Sequence, residues 1–203
     1  MKGFRFPVSG FRAGFDYLYR KPETGNRFFL KPQGDSTLND NQRQHYRMVD
    51  VGGKEVTRRR AVAAGCIRMN TETFAMVRDG TLPKGDPLRL AEVAGVLAAK
   101  QVPNIIPLCH PLGLDHVGVV FRLDESLPGV EVFCQASTSA RTGVEMEALA
   151  GVNGALLTIW DLAKQVQADL AIENVRLLLK EGGKSGRWIH PDGIDEIPEE
   201  WQQ

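Results

Sequence analysis

Apolar residues crowd both faces of the stretch VTRRRAVAAGCIRM, from Val56 to Met69, so it is predicted to be a strand inside a sheet. Strand alternation sets Arg59 on the face opposite Arg58 and Arg60. Thr71 to Arg78 has a short helical pattern closed by Gly80. Asp86 followed by Pro87 marks a helix start, with aspartate as N-cap and proline at the first helical position. The Ala-rich helix that follows runs to Lys100, with only Arg89, Glu92 and Lys100 forming a polar stripe, so most of it should be buried. Pro103, Pro107 and Pro111 bar a helix interior and predict a shaped loop presenting Cys109 and His110. Leu114–Leu123 and Val130–Thr138 alternate as two strands of a hairpin turned by DESLPG.

The longest helical pattern spans Arg141 to Gln167. Leu149, Val152, Leu156, Ile159, Ala163 and Val166 recur at helical spacing, and Met146, Ala150, Ala155 and Trp160 widen the apolar surface. That surface exceeds what a helix lying on a sheet needs, so part of it is expected to meet a second subunit. Thr142 and Glu145 have capping-box spacing at its start. Val175–Leu179 reads as a last strand, EGGKSGRW as a Gly-rich loop, and the acidic tail from Ile189 as an exposed end. Leaving the short first helix aside, the order is β-α-β-β-α-β. It predicts an α+β fold, a ferredoxin-like plait with an antiparallel sheet packed by two helices.

Composition changes this picture at the N-terminus. The formal net charge of the 203 residues is +0, which lends no support to a nucleic-acid surface. Residues 1–47, however, carry nine Lys/Arg against four Asp/Glu, and eight of the fifteen aromatics lie between Phe4 and Phe29. This segment has poor periodicity and reads as a flexible or loosely docked extension. The alternatives are a targeting peptide, disfavoured by only two serines and no apolar h-region, and a true start further downstream. Residues 48–188 then form the main domain and 189–203 an acidic tail. Cys66, Cys109 and Cys134 are widely spaced and read as free thiols in a reducing, cytoplasmic setting. No run approaches the roughly 20 apolar residues of a membrane span.

Candidate chemistry lies at element ends. Arg59, Lys84, Lys100, Lys180 and Lys184 sit where side chains and backbone N–H groups can converge on an anion, although each taken singly reads as a solvated surface charge. The loop GGKSG fails as a P-loop because Leu178 stands where its first glycine should be. It remains a candidate phosphate contact. Leu108, Cys109 and His110 are held between prolines, and His110 is either a backbone-bonded loop histidine or an imidazole beside a substrate. No CxxC, HExxH or paired histidine occurs, so no metal site is expected. Glu145 and Glu147 either complement the helix dipole or, with Met146, contact a ligand at the helix N-terminus. Asp161 and Lys164, three apart on one helix face, are either an ordinary ion pair or an acid/base pair.

Five segments, MVDVGGKEVTRRRAVAAG, LPKGDPL, AAKQVPNIIPLCHPL, TGVEMEALAGVNGALLTIWDLAK and VRLLLKEGGKSG, resemble in order the signatures of the MoaC family of molybdenum-cofactor biosynthesis, the cyclic pyranopterin monophosphate synthases. The resemblance covers Met48 to Gly186. It implies a ferredoxin-like subunit assembled as a cytoplasmic homohexamer, a trimer of dimers with active sites at dimer interfaces. It implies a lyase that converts 3′,8-cyclised dihydro-GTP to cyclic pyranopterin monophosphate and diphosphate. By the resemblance Asp161 and Lys164 are catalytic. Leu108, Cys109 and His110 form the substrate loop, and Arg59, Lys84, Lys100, Met146, Glu147, Lys180 and Lys184 contact the triphosphate and pterin, with Glu145 beside them. It implies no resident cofactor, Mg²⁺ accompanying the triphosphate being the one candidate. No nucleic-acid or membrane partner is implied. Residues 1–35 fall outside the resemblance. Two rival readings stand beside it: a non-catalytic nucleotide- or pterin-binding module, and an assembly protein in which only the apolar helices matter.

Overall fold

Strand β1 (Thr57–Arg68) is hydrogen-bonded along both edges and forms the axis of the sheet. In the computed structural model, residues 46–202 are described, except 127, 192 and 194. The expected N-terminal extension falls almost wholly outside them. β1 pairs antiparallel with β3 (Gly129–Ala140) on one side and β4 (Ala171–Glu181) on the other. β2 (His116–Asp124) flanks β3, and a two-residue strand, β5 (Trp188–Ile189), flanks β4, giving the order β2-β3-β1-β4-β5. The fold is α+β, and its first four strands are compatible with a ferredoxin-like plait. β4 is twice as long as the alternation of Val175–Leu179 suggests. Two register shifts against β1 and a positive φ at Asn174 break the period that makes a strand readable.

The helices begin where their caps allow. The Asn70 carboxamide accepts from Thr73 N at the start of α1 (Thr71–Arg78), and the Asp86 carboxylate accepts from Leu88 N and Arg89 N at the start of α2 (Pro87–Lys100). The loop expected at 103–111 opens with one helical turn, α3 (Val102–Ile105). Pro103 is accommodated because its missing N–H lies in the first turn, where no partner is required. The long helix, α4, is shorter than its pattern and runs Glu145–Ala163. The capping box at Thr142 does not form: Val144 is the N-cap, with no side-chain cap bond, and Glu145 is engaged elsewhere.

α2 and α4 lie together on one face of the sheet. Their contact is made by small residues. A Cβ on Gly154 would sit 2.5 Å from the Ala98 Cβ, and one on Gly95 would sit 2.9 Å from the Gly151 carbonyl oxygen. One on Gly151 would collide with the Cys134 sulfur on β3. Behind them Ala61, Ala63, Ile67, Val132, Val152, Leu156 and Ile159 are fully buried between helix and sheet. The outward face of the helix pair differs: Leu90, Val93, Leu97 and Leu157 are each more than half exposed, so the expected burial of both helices is met only on the sheet side within one chain.

The other face of the sheet is covered by the C-terminal segment, which is therefore not the exposed end that its acidity suggests. Ile197 is 2% exposed and packs with Val62, Ala64, Phe133, Leu178 and Leu179, with Trp201 against the same cluster. Even-numbered residues of β1 serve this face and odd-numbered ones the helices, which accounts for a strand apolar on both sides.

A side chain at Gly154 must force α2 and α4 apart. Gly154→Leu is expected to lower stability by about 1–3 kcal/mol, the usual cost of overpacking. Urea unfolding of the variant at unchanged midpoint would show that the helices do not touch there.

Candidate functional site

The residues expected to act together fall into two groups at opposite ends of α4. At its N-terminal end, a cleft of about 290 Å³ is lined by Leu108, Cys109 and His110 from the proline-rich loop and by Glu145, Met146 and Glu147 from the first turn of α4. Glu147 is 4% exposed, and burial pushes its carboxyl above the usual carboxylate range, so it retains a proton more readily than a surface glutamate. The Cys109 thiol is also pushed up, first by burial and then by the Glu147 charge, which disfavours the thiolate.

A smaller recess of about 60 Å³ shares Gly143 and Glu145 with this cleft and is lined by Arg59, Arg60, Lys180, Glu181, Gly182 and Ser185. Lys180 Nζ lies 3.3 Å from Glu145 Oε1, so the end of β4 is tied to the start of α4. Arg59 is held by the carbonyl oxygens of Ala140 and Arg141, to which it donates at 3.4 and 3.5 Å. The Gly-rich loop 182–186 rests on Arg59. Gly182 and Gly183 both have positive φ, and a Cβ on Gly183 would strike the Arg59 guanidinium while one on Gly182 would strike the Arg58 carbonyl. Glycine is required here for both conformation and approach. The arrangement gathers three cations, Arg59, Arg60 and Lys180, with loop backbone at one place suited to an anion, the carboxylates of Glu145 and Glu181 being paired with Lys180 and Arg60. Lys184 is exposed on the same loop. Lys100 ends α2, and because Lys84 just ahead of α2 reaches Asp161 near the end of α4, the helices run antiparallel and Lys100 lies toward the end of the pair that holds Glu147.

The second group is at the far end of α4. Asp161 accepts from Lys164 Nζ at 2.6 Å and from Lys84 Nζ at 2.8 Å, and its backbone oxygen also accepts from Lys84 at 3.2 Å. The hydrogen bond from Lys164 and then that from Lys84 hold the Asp161 carboxyl down at about 2. The side chains of Asp161 and Lys164 are 49% and 44% exposed, so the burial expected to tune the pair is absent within one chain. Sixteen residues separate Asp161 from Glu145, or roughly 24 Å along the helix at 1.5 Å per residue.

Sequence reasoning missed the lead-in. Val49, Val51 and Lys54 line the cleft beside His110, held by a hydrogen bond from Arg141 Nε to the Lys54 carbonyl at 3.0 Å. The alternation in Met48–Val51 is too short to mark an element, and its role is set by a contact 87 residues away. Thr142 and Ser185 also line the two recesses. Among the described residues there is no group of three or more His, Cys, Asp or Glu side chains that could hold a metal ion, and no helix long and apolar enough to cross a membrane.

Fold and site together define an α+β plait protein whose clustered cations and carboxylates are laid out for a small anionic molecule. The model of the MoaC family matches residues 48–183, and the chain belongs to that family. It is accordingly a member of a biosynthetic enzyme family of the molybdenum cofactor.

Asp161 supplies a pH signature. Its carboxyl titrates at about 2 when folded, against about 3.9 when unfolded. The depressed value contributes stability that is present above the unfolded value and lost as pH falls through the folded one. Carboxyl NMR should find a midpoint well below that of an ordinary aspartate, moving up in Lys164→Ala. An ordinary midpoint in the parent protein would refute the double ion pair.

Proposed function

We propose that the protein is a cyclic pyranopterin monophosphate synthase, a lyase that converts (8S)-3′,8-cyclo-7,8-dihydroguanosine 5′-triphosphate to cyclic pyranopterin monophosphate and diphosphate. It works in the cytoplasm as a homohexamer, a trimer of dimers, with each site completed across a dimer interface. The observation that carries this reading is the separation of the two polar groups along α4, together with the bare apolar face of α2 and α4 between them. Two copies related by a two-fold axis across that face bury Leu90, Val93, Leu97 and Leu157. The same rotation sets the N-terminal end of one α4 near the C-terminal end of the other. Asp161, Lys164 and Lys84 of one subunit then join His110, Glu147, Arg59 and Lys180 of its neighbour. Both groups belong to a stretch matched by the family, which supports a common purpose.

The chemistry follows from the charges. The triphosphate settles on Arg59, Lys180, Lys184 and the loop N–H groups, with Lys84 and Lys100 reaching it from the helix ends. To close the cyclic phosphate, a substrate hydroxyl loses its proton and attacks the α-phosphorus. The bond from the α-phosphorus to the oxygen bridging to the β-phosphate breaks, and diphosphate leaves with the electron pair. The cations stabilise the charge that grows on this leaving group. Rebuilding the purine-derived ring as a pterin needs several proton transfers. Asp161 accepts and Lys164 donates once the interface removes both from water. A carboxyl held at about 2 is a weak base, so release of Lys84 from Asp161 to the triphosphate is what raises its basicity. Glu147, already inclined to hold a proton, is placed to hydrogen-bond the heterocycle.

Purified protein given the cyclised dihydro-GTP should form cyclic pyranopterin monophosphate and diphosphate, and Lys164→Ala should lose activity by about 10²–10⁴-fold, the scale of a general acid–base residue. Binding without product from folded protein would instead favour a binding module. Mixing inactive Asp161→Ala with inactive His110→Ala, after dissociation and reassembly, should restore about a quarter of the wild-type activity, because one site of each mixed dimer is intact. Lack of any restoration in well-formed mixed oligomers would mean that each site lies within one chain.

A further inference from the structure

We propose that the C-terminal segment, residues 188–202, is a clamp that positions the Gly-rich loop 182–186, holding it over Arg59 so that loop and Lys180 meet the substrate phosphates already in register. The inference rests on the anion-binding reading of that loop. The family match ends at residue 183, so the segment lies beyond it.

The loop needs external support. Gly182, Gly183 and Gly186 all have positive φ, and a chain so rich in glycine has much backbone freedom to lose on binding. Its two ends are joined through Glu181, the last residue of β4. One Glu181 oxygen lies 3.3 Å from Arg60 Nη1 and the other 3.0 Å from Arg187 Nε, just past the loop. Arg60, whose side chain is 13% exposed, passes the connection onward: it donates to Gln135 Oε1 at 2.8 Å and to the Trp201 carbonyl. The Trp201 carbonyl thus occupies one arm of the guanidinium that steadies the loop's first anchor.

The segment is itself well fastened. β5 pairs with Leu179 and Lys180, and His190 N donates to the Leu178 carbonyl at 2.8 Å. Ile197 is buried against the sheet, Glu196 pairs with Arg176, and Gln202 Nε2 donates to the Ile197 carbonyl at 2.8 Å. The Trp201 ring lies over Gly118, where a Cβ would sit 3.2 Å from it. These contacts make Trp201 a positioning residue that acts through Arg60 and Glu181, both of which line the recess, and through the loop.

The test compares the full chain with one ending at Pro198, and with full-length Arg60→Gln. Amide exchange of 182–187 should quicken about ten-fold in both variants, while that of β1, β3 and α4 is unchanged. Calorimetric affinity for inorganic tripolyphosphate should fall about ten-fold, the scale of fixing one backbone residue on binding. KM should rise with kcat nearly unaltered, a split that general destabilisation would not produce. Unchanged exchange and affinity in both variants overturn the clamp. Arg60 also lines the recess, so in Arg60→Gln the loop's exchange and not the affinity judges the clamp, and if the shortened chain fails to fold that exchange decides alone. If the full chain binds no tripolyphosphate, the anion-site reading falls, and the exchange of the loop still judges the clamp.

Discussion

The structure depends on how closely α2 and α4 approach. Gly95, Gly151, Gly154, Ala94 and Ala98 leave nothing larger than a methyl group where the two backbones meet, and Gly151 also admits α4 against the Cys134 sulfur of the sheet. Packing this tight fixes the helices in register, since any added methyl group would meet backbone or another methyl group. It also turns the larger apolar residues of both helices outward. Leu90, Val93, Leu97 and Leu157 are left on the surface because the inner positions they might fill are taken by glycine and alanine. One constraint thus produces both a rigid helix pair and a face ready to join another.

Electrostatics within one subunit are arranged as though awaiting completion. Near the start of α4, Lys180 is occupied by Glu145, and at its end Asp161 is occupied by two lysines. These are half-exposed pairs, which contribute little to stability. They keep opposite charges together until a more highly charged partner competes for the lysines. A polyanionic substrate is such a partner, and burial at an interface would strengthen every one of these interactions. Glu147 differs, being already removed from water, with burial pushing its carboxyl up and the Glu145 charge adding to the effect.

Much of this was legible along the chain because it depends on neighbours a few residues apart. Asp86–Pro87 marks the start of α2, strand alternation separates Arg59 from Arg60, and the order of elements predicts the plait. The failures are also physical. The Thr142 capping box needs the helix to begin at residue 143, but it begins at Glu145, whose carboxylate is paired with Lys180 on a strand 35 residues away and so is not turned back to a cap. The long strand β4 is hidden by register shifts that local pattern cannot anticipate. The acidic tail reads as solvated, yet Ile189, Ile197 and Trp201 seat it on an apolar sheet face formed by Val62, Ala64, Phe133, Leu178 and Leu179.

The elements, their order, the family and the kinds of residue that can handle a charged substrate are written in the chain itself. Those are matters of short-range periodicity, capping and motif. Only the tertiary structure decided that the site residues divide between the two ends of one helix, that residues 49–54 complete the cleft, and that the C-terminal segment braces the Gly-rich loop through Arg60 and Glu181. The reason is distance. A helix carries its two ends apart in proportion to its length, and a sheet brings together residues separated by more than a hundred positions, so neither proximity nor separation in space can be read from spacing along the chain.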